Sequence, residues 1–326
     1  MTRRRAFVLV LAAPLAARAQ PSRKVWRIAY LGNNPPAASA LTPALLGAFH
    51  AGMREAGLDE NVDYVLEARY GDGRAERYPA LAAQAAAGRP DVLVAAGTPA
   101  ALALQTATAT TPIVMIVVSD PVGSGLVTTL ARPGRNLTGF TDISPQLDTK
   151  RFELMRDMAP STSRLAVLWN SAVPYHAPSM AALVAAAGRH QVQLLRTELH
   201  GREDADAVLR AVERLAPNAL MVLDQPAVFA LVGPLVELAT RLRIPSVFPQ
   251  KAFATAGGLM AYGADYADLA RRAAGYVARI LKGAKPSELP VEQPTKFELV
   301  INARTANAIG LAIPSSILVR ADEVIR

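Results

Sequence analysis

The rhythm of this sequence constrains its fold more than any other feature. From Val25 onward, short aliphatic or β-branched runs alternate with alanine-rich amphipathic stretches of roughly 10 to 18 residues, bounded by Gly, Pro, Asn or Asp. A strand followed by a helix must cross a sheet to reach the next strand, so the alternation dictates a doubly wound α/β fold with parallel sheets. In the first half, strands are predicted at 27–31, 64–70, 91–95 and 113–118, with helices near 43–56, 76–87 and 99–108. Val92-Leu93-Val94 and the run from Ile113 to Val118 are apolar without alternation, as in strands covered on both faces.

The cycle then restarts. Strands are predicted at 164–169, 191–198, 219–223 and 245–248, separated by helices near 178–189, 203–215 and 228–242. Two βαβα runs of similar length, joined through the segment from Asn136 to Pro145, give two Rossmann-like lobes rather than one large sheet. The tail reads as a strand at 257–263, a helix at 266–281 with Leu269, Ala273, Val277 and Ile280 on one face, and a last strand at 297–301. Such a tail sends the chain back to the first lobe and out again, making a multi-strand hinge. The expected division is 25–138 with about 257–283 in the first lobe, and 139–256 with about 290–326 in the second.

With 326 residues, 51% of them hydrophobic and 19% charged, the chain can bury two cores of ordinary size. It has no cysteine, which removes disulfides, a thiolate nucleophile, Cys-ligated metals and an acylated lipobox. The four histidines, His50, His176, His190 and His200, are scattered without ligand spacing, so neither a metal nor a cofactor is expected.

The first residues read as an export signal. Arg3, Arg4 and Arg5 precede an apolar run from Ala6 to Ala17, and Ala17-Arg18-Ala19 forms a small-residue cleavage site. The run is too short to span a bilayer. A signal peptide over 1–19 implies a periplasmic protein. Arg4-Arg5-Ala6-Phe7 also resembles a twin-arginine motif, which leaves the export route open. Arg18 leaves with the other three arginines, so half of the formal charge of +8 belongs to this segment. No basic stripe with interleaved aromatics remains to argue for nucleic acid.

Ligands in open α/β sheets sit beyond the carboxyl ends of strands, which directs attention to particular loops. In the first half these are Gly32-Asn33-Asn34, Gly97-Thr98-Pro99 and Ser119-Asp120; in the second, Asn170 to Tyr175, Asp224-Gln225 and Pro249-Gln250. Gly97 permits close backbone approach, while Thr98-Pro99 opens a helix whose free amides favour a carboxylate. The same pair also serves as a plain helix cap. Asp120 and Asp224 either meet a ligand amine or cap turns beside Pro121 and Pro226. Tyr175, Phe248, Tyr262 and Tyr266 fall near loop ends, where an aromatic faces either a flat ligand or the core. Asp265 reads first as a helix cap.

Four segments carry a family resemblance. They run from Asp120 to Val127 (DPVGSGLV), Leu130 to Gly139 (LARPGRNLTG), Ala256 to Gly263 (AGGLMAYG) and Leu289 to Asn302 (LPVEQPTKFELVIN). In this order they resemble the ABC-transporter substrate-binding proteins of the tryptophan-binding type, over essentially all of residues 25–326. The resemblance implies a type I periplasmic-binding-protein fold, three crossovers and a cleft ligand such as an aromatic amino acid or related acid. It also implies a permease and an ATPase on separate chains. Asn170-Ser171-Ala172-Val173-Pro174-Tyr175 stands where related chains often carry Asn-Pro, so the pocket wall is expected to differ there.

The functional expectation is a monomeric solute receptor that closes on a small molecule, with no catalytic residue. The alternatives are a ligand-sensing envelope domain, or a cofactor-free enzyme on the same scaffold. An enzyme needs a nucleophile and base, yet GxSxG is missing and only His176 stands near a strand end.

Overall fold

The computed structural model describes residues 24–39 and 41–326; the expected leader at 1–19 lies outside them. The first lobe is built on β1 (Trp26–Gly32), β2 (Tyr64–Tyr70), β3 (Val92–Ala96), β4 (Ile113–Val118) and β5 (Leu137–Thr141). All pairs are parallel, in the order β2-β1-β3-β4-β5. Its helices are α1 (Leu41–Glu55), α2 (Tyr78–Ala87) and α3 (Thr98–Ala107). The second lobe contains α4 (Ser144–Met158), β6 (Arg164–Trp169), α5 (His176–Arg189), β7 (Gln193–Glu198), α6 (Ala205–Arg214) and β8 (Ala219–Val222). It continues with α7 (Val232–Arg241), β9 (Ser246–Phe248), α8 (Lys251–Thr255) and β10 (Met260–Ala264). The chain ends with α9 (Tyr266–Leu281), β11 (Phe297–Asn302), α10 (Ala303–Ile309), α11 (Ser315–Leu318) and β12 (Glu323–Ile325). The second sheet runs β12-β11-β10-β9-β8-β6-β7, parallel except between β10 and β11.

Each sheet is covered on both faces, which is why its central strands β3, β4 and β8 are continuously apolar. In β1, Ile28 and Tyr30 join a cluster with Phe49 and Met53 of α1 and Val277 of α9. The alternate residues Ala29 and Leu31 meet Ala82, Ala85 and Leu104 on the other face. In β6, Leu165 and Val167 meet Phe152, Met155, Met180 and Leu183, while Ala166 and Leu168 face Val212 and Leu235.

The chain crosses between lobes three times, after β5, after β10 and before β11. The tail crosses at points other than those expected. Met260–Ala264, expected in the first lobe, pairs with β9 and β11 in the second sheet. Conversely, Glu292 forms a parallel bridge with Phe140, and its N–H bonds Gly139 O at 2.9 Å, which ties the start of the last segment to the first sheet. Backbone pairing decides both cases: an apolar strand goes where an open edge offers its ladder. Between these crossings α9 lies across α1, where the lack of a side chain at Gly52 lets the helices touch: a Cβ there would fall 2.2 Å from Arg271 O. Asp265 caps α9, accepting the Asp268 N–H at 3.0 Å.

Candidate functional site

The carboxyl ends of both sheets face one cleft, which measures about 520 Å³ including the solvent at its mouth. From the first lobe β1 delivers Asn33 and Asn34, β3 delivers Gly97 and Thr98, and β4 delivers Val117 and Ser119. The second lobe supplies Asp224 and Pro226 after β8, Tyr175 at the start of α5, and Phe229. Asp142 and Tyr266 stand on the crossings themselves.

Local geometry explains each placement. Gly97, not Thr98, occupies the cap position of α3, with φ 96° and ψ 158°, values open to glycine alone. Thr98 begins the helix, and its hydroxyl is used by the fold: it accepts the Ser119 N–H at 3.1 Å and lies 3.3 Å from Ser119 O. Asn33 leans over Gly97, held by Tyr78, whose hydroxyl donates to Asn33 Oδ1 at 2.7 Å. With Pro99 in its first turn, α3 opens at the cleft, where Gly97 and Thr98 line the cavity. In β4, Val117 sits at φ 52°, beside a register shift between Met115 and Val118. A β-branched residue in that conformation is strained, and here the strain turns the strand end into the cavity.

The floor of the cleft is a chain of oxygens. Ser119 Oγ donates to the Asp142 carboxylate, 2.9 Å from Oδ1 and 3.0 Å from Oδ2. Tyr266 Oη lies 2.9 Å from Asp142 Oδ2 and makes a second, very short contact with Asp224 Oδ2. The Tyr175 hydroxyl donates to Asp224 O at 3.4 Å. Burial, then the two carboxylates, pushes the Tyr266 and Tyr175 hydroxyls well above their ordinary range, so both phenols keep their protons. Below Asp224, His176 is 1% exposed. The Asn170 N–H donates to its Nδ1 at 2.9 Å, which fixes the tautomer whose Nε2–H donates to Asp224 O at 2.9 Å. Burial lowers the His176 pKa and keeps the ring neutral.

Of the residues singled out from sequence, Asn33, Gly97, Thr98, Ser119, Tyr175 and Asp224 line this cavity. Four others lie off it. Gly32 ends β1 packed against the Tyr30 ring. Asp120 holds a turn by accepting the Gly123 N–H at 2.9 Å, and Asn170 braces its own loop through the Ala172 N–H at 2.9 Å. Tyr262 lies in β10, stacked with Phe297. Phe248 belongs to the core, stacked on Phe253 with ring centroids 4.8 Å apart. Sequence reasoning missed Asp142 and Tyr30, named Asn34 only as part of the Gly32-Asn33-Asn34 loop, and noticed Tyr266 only as a loop-end aromatic. Asp142 carried one signal: it is an acid immediately after a short β-prone run that was read as a joint. Among the described residues no group of three or more His, Asp or Glu gathers to hold a metal, and no helix is long and apolar enough to cross a membrane.

Comparison with known proteins agrees with this architecture. The sequence profile of the ABC transporter substrate binding protein family matches residues 41–325. The chain is 27% identical, over 234 residues, to a tyrosine-binding protein of Clostridioides difficile; the match covers 71% of this chain and 66% of that protein, just under two thirds of its length. Among solved structures it is similar to a conserved domain protein of Vibrio cholerae, with a TM-score of 0.84 and 28% identity over 92% of this chain and 100% of the other. An ABC domain in complex with L-Trp from Streptococcus pneumonia has the same fold at a TM-score of 0.84, with 24% identity over 93% of this chain and all of the other.

Proposed function

The chain belongs to the family of ABC transporter substrate-binding proteins, and from that premise we propose that it is the receptor of an uptake system for an aromatic α-amino acid. It closes two lobes around the solute and presents the closed form to a permease driven by a separate ATPase. The reading rests chiefly on the composition of the cleft: aromatic side chains from both lobes, one carboxylate at a crossing and one after β8, and the start of α3. Tyr30, Tyr175 and Phe229 accommodate a flat side chain, the amides of α3 face its carboxylate, and Asp142 and Asp224 face its amine. The tyrosine-binding relative and the L-Trp complex are consistent with that class.

Closure is selected by the solute because the closed form alone brings both walls to it. Nothing in this scheme asks a residue to react, and the protein acts as a periplasmic monomer without catalytic turnover. The test is a thermal-shift screen of the purified protein against amino acids, aromatic acids, polyols and short peptides. A solute at about 100 times its dissociation constant adds roughly 2.7 kcal/mol of stability. A saturable shift with an aromatic amino acid recovered unchanged is the expected result. No shift with any class, or consumption of the compound, overturns the reading.

A further inference from the structure

Beside the cleft lies a second cavity, about 900 Å³ including the solvent at its mouth. Leu41 and Tyr266 line both and form the wall they share. Leu41 and Ala44 of α1 come from the first lobe, Ala252, Thr255 and Ala256 from α8 and its end in the second, and Ala267 from the start of α9. Around this chamber the charges do not balance. Lys251 Nζ donates to Glu323 Oε2 at 2.5 Å, and Lys296 Nζ to Asp265 Oδ2 at 2.6 Å. Glu298 of β11 lies 3.9 Å from the first lysine and 3.8 Å from the second, too far for a hydrogen bond from either. Three carboxylates thus share two ammonium groups, and Glu298 is the one to which neither donates. Its side chain is 20% exposed and lines the chamber, so a molecule inside can reach it. Burial, then the charge of Asp265, raises its pKa, as for a carboxylate whose charge is incompletely compensated. The neighbouring ions of α9 are taken up among themselves, Asp268 accepting from Arg271 at 2.8 Å and from Arg272 at 3.5 Å.

We propose that this chamber is a second binding site, taking an amphipathic primary amine whose apolar chain lies along the alanines and whose ammonium meets Glu298. The chain gains by covering Ala44, Ala252 and Ala256, and the ammonium supplies the donors and the charge that Glu298 lacks. A carboxylate in the same place faces Asp265 and Glu298 and is repelled. The inference goes beyond the receptor reading above: the cleft keeps its solute, and the chamber takes a different molecule. The two sites are coupled because the walls of the chamber belong to different lobes. A molecule that touches α1 and α8 together fits one angle between the lobes. The present angle is a closed one, with Asn34 Nδ2 reaching Pro226 O at 3.4 Å across the cleft. The amine therefore stabilises the closed form and tightens the grip on the solute, and by linkage the solute tightens the amine by the same factor. No covalent bond changes in either molecule.

The probe is n-hexylamine, with n-hexanol and n-hexanoate as neutral and anionic controls of the same chain length, added to the purified protein with and without L-tyrosine or L-tryptophan. Calorimetry reads the affinity of each. Expected are saturable binding of hexylamine to free and solute-loaded protein alike, and binding of both controls weaker by about tenfold or more. Solute and amine together should each gain affinity by about fivefold or more. Glu298→Gln brings hexylamine down to the level of hexanol and leaves solute affinity without the amine unchanged. Ala44→Trp, at an exposed position of α1, fills the chamber and abolishes hexylamine binding, which decides the location even if Glu298→Gln fails to fold. Controls that bind as well as the amine, displacement of hexylamine by the solute, no binding of hexylamine, or binding untouched by both variants overturns the site. Binding of both molecules with no mutual gain overturns the coupling. Failure of L-tyrosine and L-tryptophan to bind overturns the receptor reading instead, and hexylamine, its controls and the two variants then decide the chamber by themselves.

Discussion

Gly97→Ala tests the part of the site that depends on backbone rather than side chain. At φ 96° and ψ 158° an L-residue is forced into a region reserved for glycine, at a cost of about 1–3 kcal/mol. The new Cβ also meets Asn33, 3.0 Å from Nδ2 and 3.2 Å from Oδ1. Asn33 cannot swing aside freely, because Oδ1 is held by the Tyr78 hydroxyl at 2.7 Å, and losing that bond adds about 1 kcal/mol. The single variant is therefore expected to lose about 2–4 kcal/mol in urea unfolding. In an Asn33→Ala background the overlap is gone while the dihedral penalty remains, so the same change costs only about 1–3 kcal/mol, a coupling near 1 kcal/mol. Because the α3 amides move with residue 97, affinity for the cognate solute falls by up to about tenfold, the equivalent of roughly 1.4 kcal/mol. A loss below about 0.5 kcal/mol with unchanged affinity refutes the assignment of Gly97 as the conformational key to this helix end.

Further outcomes follow from groups under the cleft. Arg151→Met strands buried Asp148, whose carboxyl burial already pushes up and whose ion pair is 1% and 4% exposed; equilibrium unfolding should show a loss of about 3–5 kcal/mol, and a loss under 1 kcal/mol contradicts the role given to the pair. Thr98→Ala leaves the Ser119 N–H, 3% exposed, without its acceptor, costing about 1–3 kcal/mol, with a smaller effect on solute affinity than Asp224→Asn as measured by calorimetry. His176 has its pKa lowered by burial, so its contribution to stability is fully present above its ordinary value of about 6.5 and is lost as pH falls through its folded value. Denaturant unfolding between pH 7.5 and 5 should show that decline, at up to about 1.4 kcal/mol per pH unit. His176→Gln, able to accept from Asn170 and donate to Asp224, should flatten it; an unchanged slope removes the histidine from the explanation.

The two-lobed α/β architecture was legible in the sequence because its strongest signals are local. Val92 to Ala96 and Ile113 to Val118 read as covered strands and are so, and Leu269, Ala273, Val277 and Ile280 mark the buried face of α9. The weak elements escaped. Leu137–Thr141 has five residues including Gly139, Lys251–Thr255 is barely more than a turn, and Glu323–Ile325 pairs only at an edge, so tertiary pairing rather than propensity decides each. Strand-end logic reached Gly97, Ser119 and Asp224, where a loop follows a clear strand. It overshot at Asp120 and Asn170, whose side chains are consumed by their own turns, a use that composition does not distinguish from ligand contact. Asp142 and Tyr266 come from crossings more than a hundred residues apart in the chain, and only the closed topology brings them together.

The triple crossing also governs the order in which this molecule can assemble. The first lobe owns residues up to β5, yet its cover over α1 is α9, which begins only at Tyr266, after most of the second lobe has been made. The second lobe in turn lacks β11 and β12 until the final residues arrive. A chain delivered from its N-terminus, by a ribosome or through a channel, thus holds Phe49, Met53 and the exposed edge of β10 without their partners until nearly its whole length is present. Neither lobe is a unit that can fold early and wait; both complete together, late, through contacts of long sequence separation, with slow folding and a dependence on holdase chaperones as the consequence.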